Sequence, residues 1–160
     1  MSKLYMMVGN IGCGKTTLTK NLCKNDHIKS VNMDDIVVFI EGDYGKYNVK
    51  HKAIYQEIEK TIIQEYLKLG HTVIIDRTNC DLARRKKYID MAKEADQNVH
   101  ITVFDFGSGE EWQLNRRLSD PRGVSEGQWR GVFEKLKKEY VKPDCDREDI
   151  DMIIPKSGNE

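Results

Sequence analysis

Gly9-Asn10-Ile11-Gly12-Cys13-Gly14-Lys15-Thr16 decides how this chain is read. It is a complete G-x-x-x-x-G-K-[ST] phosphate-binding loop. The glycines let the backbone turn tightly enough for several N–H groups to converge on phosphate oxygens. Lys15 supplies a point charge for the outer phosphates, and the Thr16 hydroxyl is placed to ligate Mg²⁺. The loop follows an apolar run, Leu4 to Val8, that reads as a buried strand. Thr16 to Lys24 carries Leu18 and Leu22 at helical spacing. A helix starting there adds its positive end to the cradle. The expectation is a nucleoside triphosphate site, with Gly12, Cys13, Gly14, Lys15, Thr16 and Thr17 as phosphate contacts.

Working outward, strands and helices alternate. A second strand is expected over Ile28–Asn32, a helix from Asp34 to Ile40, and a polar, glycine-punctuated stretch from Glu41 to Asn48. Ile54, Ile58, Ile62, Tyr66 and Leu69 form one apolar helical stripe that Gly70 ends. Thr72–Ile75 is β-branched and reads as a buried strand ending at Asp76. Asp81 opens another helix to about Ala95, and Val99–Phe106 is a fourth strand. Helices follow near Glu110–Leu118 and Glu126–Tyr140, and Met152–Ile154 closes with a short strand. This alternation predicts an α/β three-layer sandwich around a parallel sheet of about five strands, a single domain over residues 1–160.

The composition sets bounds on function. Twenty-six basic and 26 acidic side chains balance, so any nucleic-acid footprint must be local. The four cysteines form no C-x-x-C pair and no zinc spacing, as expected for free thiols in a reducing compartment. Cys13, between two loop glycines, serves as a small residue or a redox-sensitive thiol. The longest uninterrupted apolar run is Ile36–Ile40, and no secretory signal is legible, so a soluble, cytoplasmic protein is expected.

Ligands of parallel sheets bind at the carboxyl ends of the strands. Asp34 and Asp35 follow the second strand. Either caps a helix, and Asp34 is also placed to take the proton of an attacking hydroxyl as general base. Asp76 ends the third strand, where an Mg²⁺-binding acid or a turn-forming Asp both fit. Thr78 and Asn79 orient an acceptor or begin the turn. Arg84 and Arg85 contact acceptor phosphates or form a solvated helix face. Between two later helices, residues 116–124 are basic and Pro/Gly-punctuated, a mobile lid in which Arg117 and Arg122 could close over the moving phosphoryl group. Arg130 is a weaker candidate for the same task. Tyr44, Tyr47 and His51 are available to stack on a base.

Together these segments resemble the kinase domain of the polynucleotide kinase family. The resemblance rests on the phosphate loop, Val31-Asn32-Met33-Asp34-Asp35, Ile75-Asp76-Arg77-Thr78-Asn79, Arg84-Arg85, the arginines from 116 to 122, and the tail from Tyr140 to Pro155. It implies Mg²⁺-dependent transfer of the ATP γ-phosphate to the 5′-hydroxyl of DNA or RNA. By the same resemblance Asp34 is the base, Lys15 and Thr16 the phosphate and Mg²⁺ contacts, and Arg117 and Arg122 the lid. The partners implied are ATP and a nucleic-acid 5′ end, with no membrane and no protein partner evident. Two positions depart from the family. Met33 stands where an Arg commonly precedes the base, and Ile36-Val37-Val38 stand where another Arg often holds the acceptor. A kinase for a small hydroxyl compound, one for a hydroxylated base in DNA, and a nucleotide-dependent switch therefore remain open beside the first reading.

Overall fold

The structure is a computed structural model that describes residues 1–156. Five strands, β1 (Lys3–Val8), β2 (Ile28–Val31), β3 (Thr72–Ile75), β4 (His100–Asp105) and β5 (Met152–Pro155), form one sheet in the order β2-β3-β1-β4-β5. Every neighbouring pair is parallel. β1 lies between β3 and β4, so the loop leaving it opens at the middle of the sheet. The helices are α1 (Lys15–Leu22), α2 (Met33–Glu41), α3 (Lys52–Lys68), α4 (Leu82–Ala95), α5 (Glu111–Ser119), α6 (Glu126–Glu139) and α7 (Cys145–Glu148). The expected P-loop sandwich with a five-stranded parallel sheet is the architecture observed.

β3 is buried at all four positions, as its β-branched run requires. Leu4, Met6, Val8, Val73, Ile75, Ile101 and Val103 form the main core with α3 and α4. Met7, Ile74 and Phe104 pack beneath α1 on the other face. A third cluster, Ile11, Leu114, Trp129, Phe133 and Leu136, ties α5 and α6 to the phosphate loop.

Two local features differ from expectation. The face that α3 turns inward is Tyr55, Glu59, Ile63 and Leu67. Ile58, Ile62 and Tyr66 flank that core, while Ile54 and Leu69 are exposed. The apolar stripe is therefore the shoulder of the helix, because the true inner face contains a glutamate and a tyrosine. Gly70 does end α3, in the left-handed region at φ 82°. The second difference is α7, a four-residue helix too short to leave a periodicity, opened by an Asp144 cap that accepts from two backbone amides.

Candidate active site

The phosphate loop is held from both sides. Asn10 is fully buried, and its Nδ2 donates to the carbonyls of Ser108 at 3.0 Å and Phe133 at 2.9 Å. The segment after β4 thus supports the loop. Gly12 has φ 69°, and a Cβ there would lie 2.1 Å from the Gln113 carbonyl oxygen, so α5 can approach only because the residue is glycine. Gly14, at φ 102°, is the N-cap of α1 and has no side-chain cap of its own. The Lys15 ammonium donates to the Asn10 carbonyl at 2.5 Å. These features fit a phosphate chain, with α1's first N–H groups free to receive it.

Thr16, on the first turn of α1, donates its hydroxyl to Asp76 Oδ2 at 3.1 Å. The Asn32 Nδ2 donates to the same oxygen at 3.3 Å. Asp76 is almost wholly buried, so one threonine and one ionisable oxygen sit together at the loop's edge. Such a hard-oxygen pair fits Mg²⁺, which takes one or two protein ligands and completes its shell with water and phosphate oxygens. Thr16 and Asp76 would hold the metal, whose charge would offset that of the phosphates.

Asn32 does two tasks. Its Oδ1 accepts from the amides of Asp34 (2.8 Å) and Asp35 (3.4 Å), capping α2, while its amide group reaches Asp76. The cap fixes Asp34 at the mouth of a crevice of about 620 Å³ that also receives Lys15, Thr16, Thr17, Asp76 and Thr78. The volume is within the range that small-molecule sites occupy, ~300–1,000 Å³. The crevice walls withdraw water from the Asp34 carboxylate and raise its pKa above the ordinary 3.8, and the charges of Arg77 and Arg122 oppose that rise. A carboxylate moved in that direction is a better proton acceptor.

Arg77 was no more than part of a motif in the sequence; in the structure it is a wall of the crevice. Its Nη1 donates to the Tyr88 hydroxyl at 2.7 Å, and that hydroxyl donates to Glu59 Oε1 at 2.7 Å. Glu59 Oε2 lies 3.6 Å from the same Nη1. Glu59 is the fully buried acid on α3's inner face, so the core holds a charge that orients a guanidinium toward Asp34. Alternating apolar residues could not have disclosed this; an acid at a core position of α3 was the available signal.

Arg116, Arg117 and Arg122 line the crevice, but the first two belong to the last turn of α5 and only Arg122, at φ 51°, to the turn that follows. The Arg117 guanidinium lies 5.2 Å from the Trp129 ring centroid, and the indole Nε1 donates to the Pro121 carbonyl at 2.8 Å. Trp129 therefore contacts both the last turn of α5 and the start of the following turn. Arg117 Nε is buried without a partner, and no acid pairs with Arg116, Arg117 or Arg122 among the described residues. Three uncompensated guanidinium groups around one crevice call for an anion.

Several other candidates are elsewhere. Arg85 is not an acceptor ligand: it is fully buried, its Nε 2.6 Å from Glu148 Oε1, and it donates to the carbonyls of Asn79, Cys80 and Val141. Asn79 is also buried, at φ 44°, with its amide on the Met7 carbonyl. Asp35 is exposed outside the crevice lining, and Arg130 pairs with Glu111 and Glu126 on the surface. His51 is taken by Glu41, 2.7 Å away. Arg84 and Tyr44 do line the crevice. Cys13 is buried, and burial pushes the neighbouring Cys80 thiol up to about 11.

A loop built for phosphates, facing a carboxylate across one crevice, has the layout of the P-loop kinase class. The model of the AAA domain family (AAA_33) matches residues 4–138, and the chain belongs to that family. Among curated proteins it is similar to the L-seryl-tRNA(Sec) kinase of Methanococcus maripaludis, 25% identical over 104 residues, 63% of this chain. The matched part is 40% of that relative's length. Among solved structures it is similar to a fungal RNA kinase, with a TM-score of 0.69 at 15% identity over 97% of this chain and 75% of that one. A chain of the Pnkp1/Rnl/Hen1 complex is 26% identical, with a TM-score of 0.60, covering 72% of this chain and 38% of that one. These likenesses show the fold that the chain shares with those proteins. No helix among the described residues is long and apolar enough to cross a membrane.

Proposed function

We propose that the protein transfers the γ-phosphate of Mg²⁺-ATP to a hydroxyl of a nucleic acid, the 5′-hydroxyl of a DNA or RNA strand. The observation that carries this reading is the placement of Asp34 beside Arg77. The carboxylate takes the hydroxyl proton, and the guanidinium next to it suits an acceptor whose hydroxyl neighbours an anion, as a 5′-terminal nucleotide's does through its 3′-phosphate. Arg77 thus stands in for the arginine that α2 lacks at Ile36–Val38. On the donor side, the loop amides and Lys15 grip the phosphates, and Arg116, Arg117 and Arg122 cover the charge that spreads over the transferring group. The likeness to an RNA kinase and to a seryl-tRNA kinase supports an acceptor carried on nucleic acid.

A second reading, transfer to a small hydroxyl compound or to a hydroxylated base within DNA, is favoured by the lack of an acceptor arginine at Ile36, Val37 and Val38. The two separate in one assay. Label from γ-labelled ATP is offered to 5′-hydroxyl oligonucleotides of DNA and RNA, to 5′-phosphorylated DNA containing a hydroxymethylated base, and to nucleosides. The first reading predicts label that terminal phosphatase removes from the oligonucleotide end. Label confined to the modified base, or to nucleosides, would overturn it.

A further inference from the structure

Between the end of α2 and the first turn of α3 the chain turns a mixed aromatic and basic surface outward. Phe39 is 90% exposed, Val49 73%, Tyr47 49% and Tyr44 43%. Exposed large apolar side chains grouped in one stretch mark a contact surface rather than a stray residue. The stretch is nonetheless ordered by its own side chains. Asp43 accepts from the Gly45 amide at 2.6 Å and Asn48 from the Lys50 amide at 3.0 Å, each opening a short 3₁₀ turn. The Asn48 amide in turn donates to the Tyr55 hydroxyl at 3.3 Å, and the Tyr47 ring lies 5.5 Å from that of Tyr55.

The acids Glu41, paired with His51, and Asp43, capping the first 3₁₀ turn, precede a run of one sign. Lys46, Lys50 and Lys52 alternate with the aromatics, and residues 44–53 contain no acid, in a chain whose 26 basic and 26 acidic groups otherwise balance. None of the three lysines forms an ion pair among the described residues. The surface is continuous with the crevice, because Tyr44 lines it and feels the charges of Asp34, Arg122 and Arg117. Free lysines interleaved with ring faces suit a polyanion that carries its own ring faces.

We propose that this surface takes the unstacked nucleotides of a single-stranded nucleic acid next to the accepting hydroxyl, with bases on Phe39, Tyr44 and Tyr47 and phosphates on Lys46, Lys50 and Lys52. The proposal rests on the reading that the acceptor is a strand, and it makes single strands, not blunt duplexes, the preferred substrate. Base pairing hides the ring faces that the tyrosines and Phe39 would cover.

The test uses the full chain with Mg²⁺ and ATP. Binding of a 3′-fluorescein-labelled 5′-hydroxyl octanucleotide is followed by anisotropy across a salt series. Turnover is measured on the octanucleotide, on its blunt duplex and on a nucleoside 3′-monophosphate. Wild type is compared with the triple variant Lys46→Glu/Lys50→Glu/Lys52→Glu and, separately, with the milder Phe39→Ser, whose side chain has no core to lose. The octanucleotide should have a KM at least about tenfold below the mononucleotide's, in line with stacking on successive aromatics. Its affinity should fall with salt with a log–log slope of about −3, the value for four single-strand phosphate contacts, Arg77's included. The triple variant should abolish the KM advantage and cut the slope to about −1 or shallower, with mononucleotide turnover unchanged. Phe39→Ser should weaken the strand severalfold. Equal turnover of blunt duplex and single strand, or strand binding unaffected by the variants, would overturn the surface and leave the strand-acceptor reading intact. A strand bound with the predicted slope but never phosphorylated would support the surface and overturn that reading instead.

Discussion

At the scale of single residues, Asp34 and Arg77 carry the proposed chemistry, and both owe their placement to neighbouring side chains. Asn32 sets Asp34 by capping α2, and Glu59 sets Arg77 from within the core. Burial raises the Asp34 pKa above 3.8 while Arg77 and Arg122 lower it. The ionised carboxylate is the form that accepts a proton, so a raised pKa moves the acid limb of the rate profile to higher pH. The limb measured as kcat/KM against pH should therefore have its midpoint above 3.8, and Arg77→Gln, which removes an opposing charge, should move it higher still. A limb that moved to lower pH would contradict this electrostatic picture. Glu59→Gln keeps the Tyr88 hydrogen bond and loses the charge that steers Arg77. It should lower kcat/KM for the acceptor by about 10- to 100-fold, the cost of a misplaced group, with ATP affinity unchanged. Calorimetric titration of ATP alongside steady-state kinetics reads both quantities.

At the scale of elements, the parts legible in the sequence are those whose physics is local. The phosphate loop declares itself because its spacing is its function. β3 declares itself because four consecutive β-branched or apolar residues fit a strand covered on both faces. α3 was visible as a helix but not in its orientation. Tyr55 and Glu59 break the apolar pattern of the inner face, and the neighbouring isoleucines on the shoulder mimic it. Arg85 was misleading for another reason: in sequence it belongs to a run of cations, and its acid, Glu148, lies 63 positions away on α7. That buried pair joins α4, the turn after β3 and the chain beyond α6. Breaking it leaves Glu148 with an unpaired charge at a site that is 6% exposed. Arg85→Met should therefore cost about 3–5 kcal/mol and lower the melting temperature by roughly 10 °C. Thermal unfolding followed by circular dichroism measures the shift, and a change of less than about 3 °C would show the pair to be expendable. The neighbouring Arg84→Met should leave stability alone, since that side chain lines the crevice.

At the scale of the molecule, the fold gathers residues from distant parts of the chain into one crevice between phosphate loop and acid. The loop and Thr16 come from the first turn of the chain, Asp34 from the end of β2, Asp76 and Arg77 from the end of β3, and the arginines from α5 and its turn. Parallel strands with all carboxyl ends at one edge make this gathering automatic, which is why strand ends pointed to the site before any contact was known. What no strand-end rule conveys is which side chains look into the crevice, and so Asn79 and Arg85, adjacent in sequence to true lining residues, turned out to be buried supports. The zero net charge likewise concealed a local excess, because the acids and bases are not evenly mixed over the surface.

The measurement that tests the central claim most directly is γ-phosphate transfer to a 5′-hydroxyl oligonucleotide by wild type and Asp34→Asn, with the ATP dissociation constant of each determined in parallel. The crevice as described predicts transfer by the wild type, and a loss of about 10²–10⁴-fold in kcat for the variant at unchanged ATP affinity. Equal turnover by the two proteins would contradict it, because the carboxylate at the mouth of the crevice would then be only the first turn of a helix.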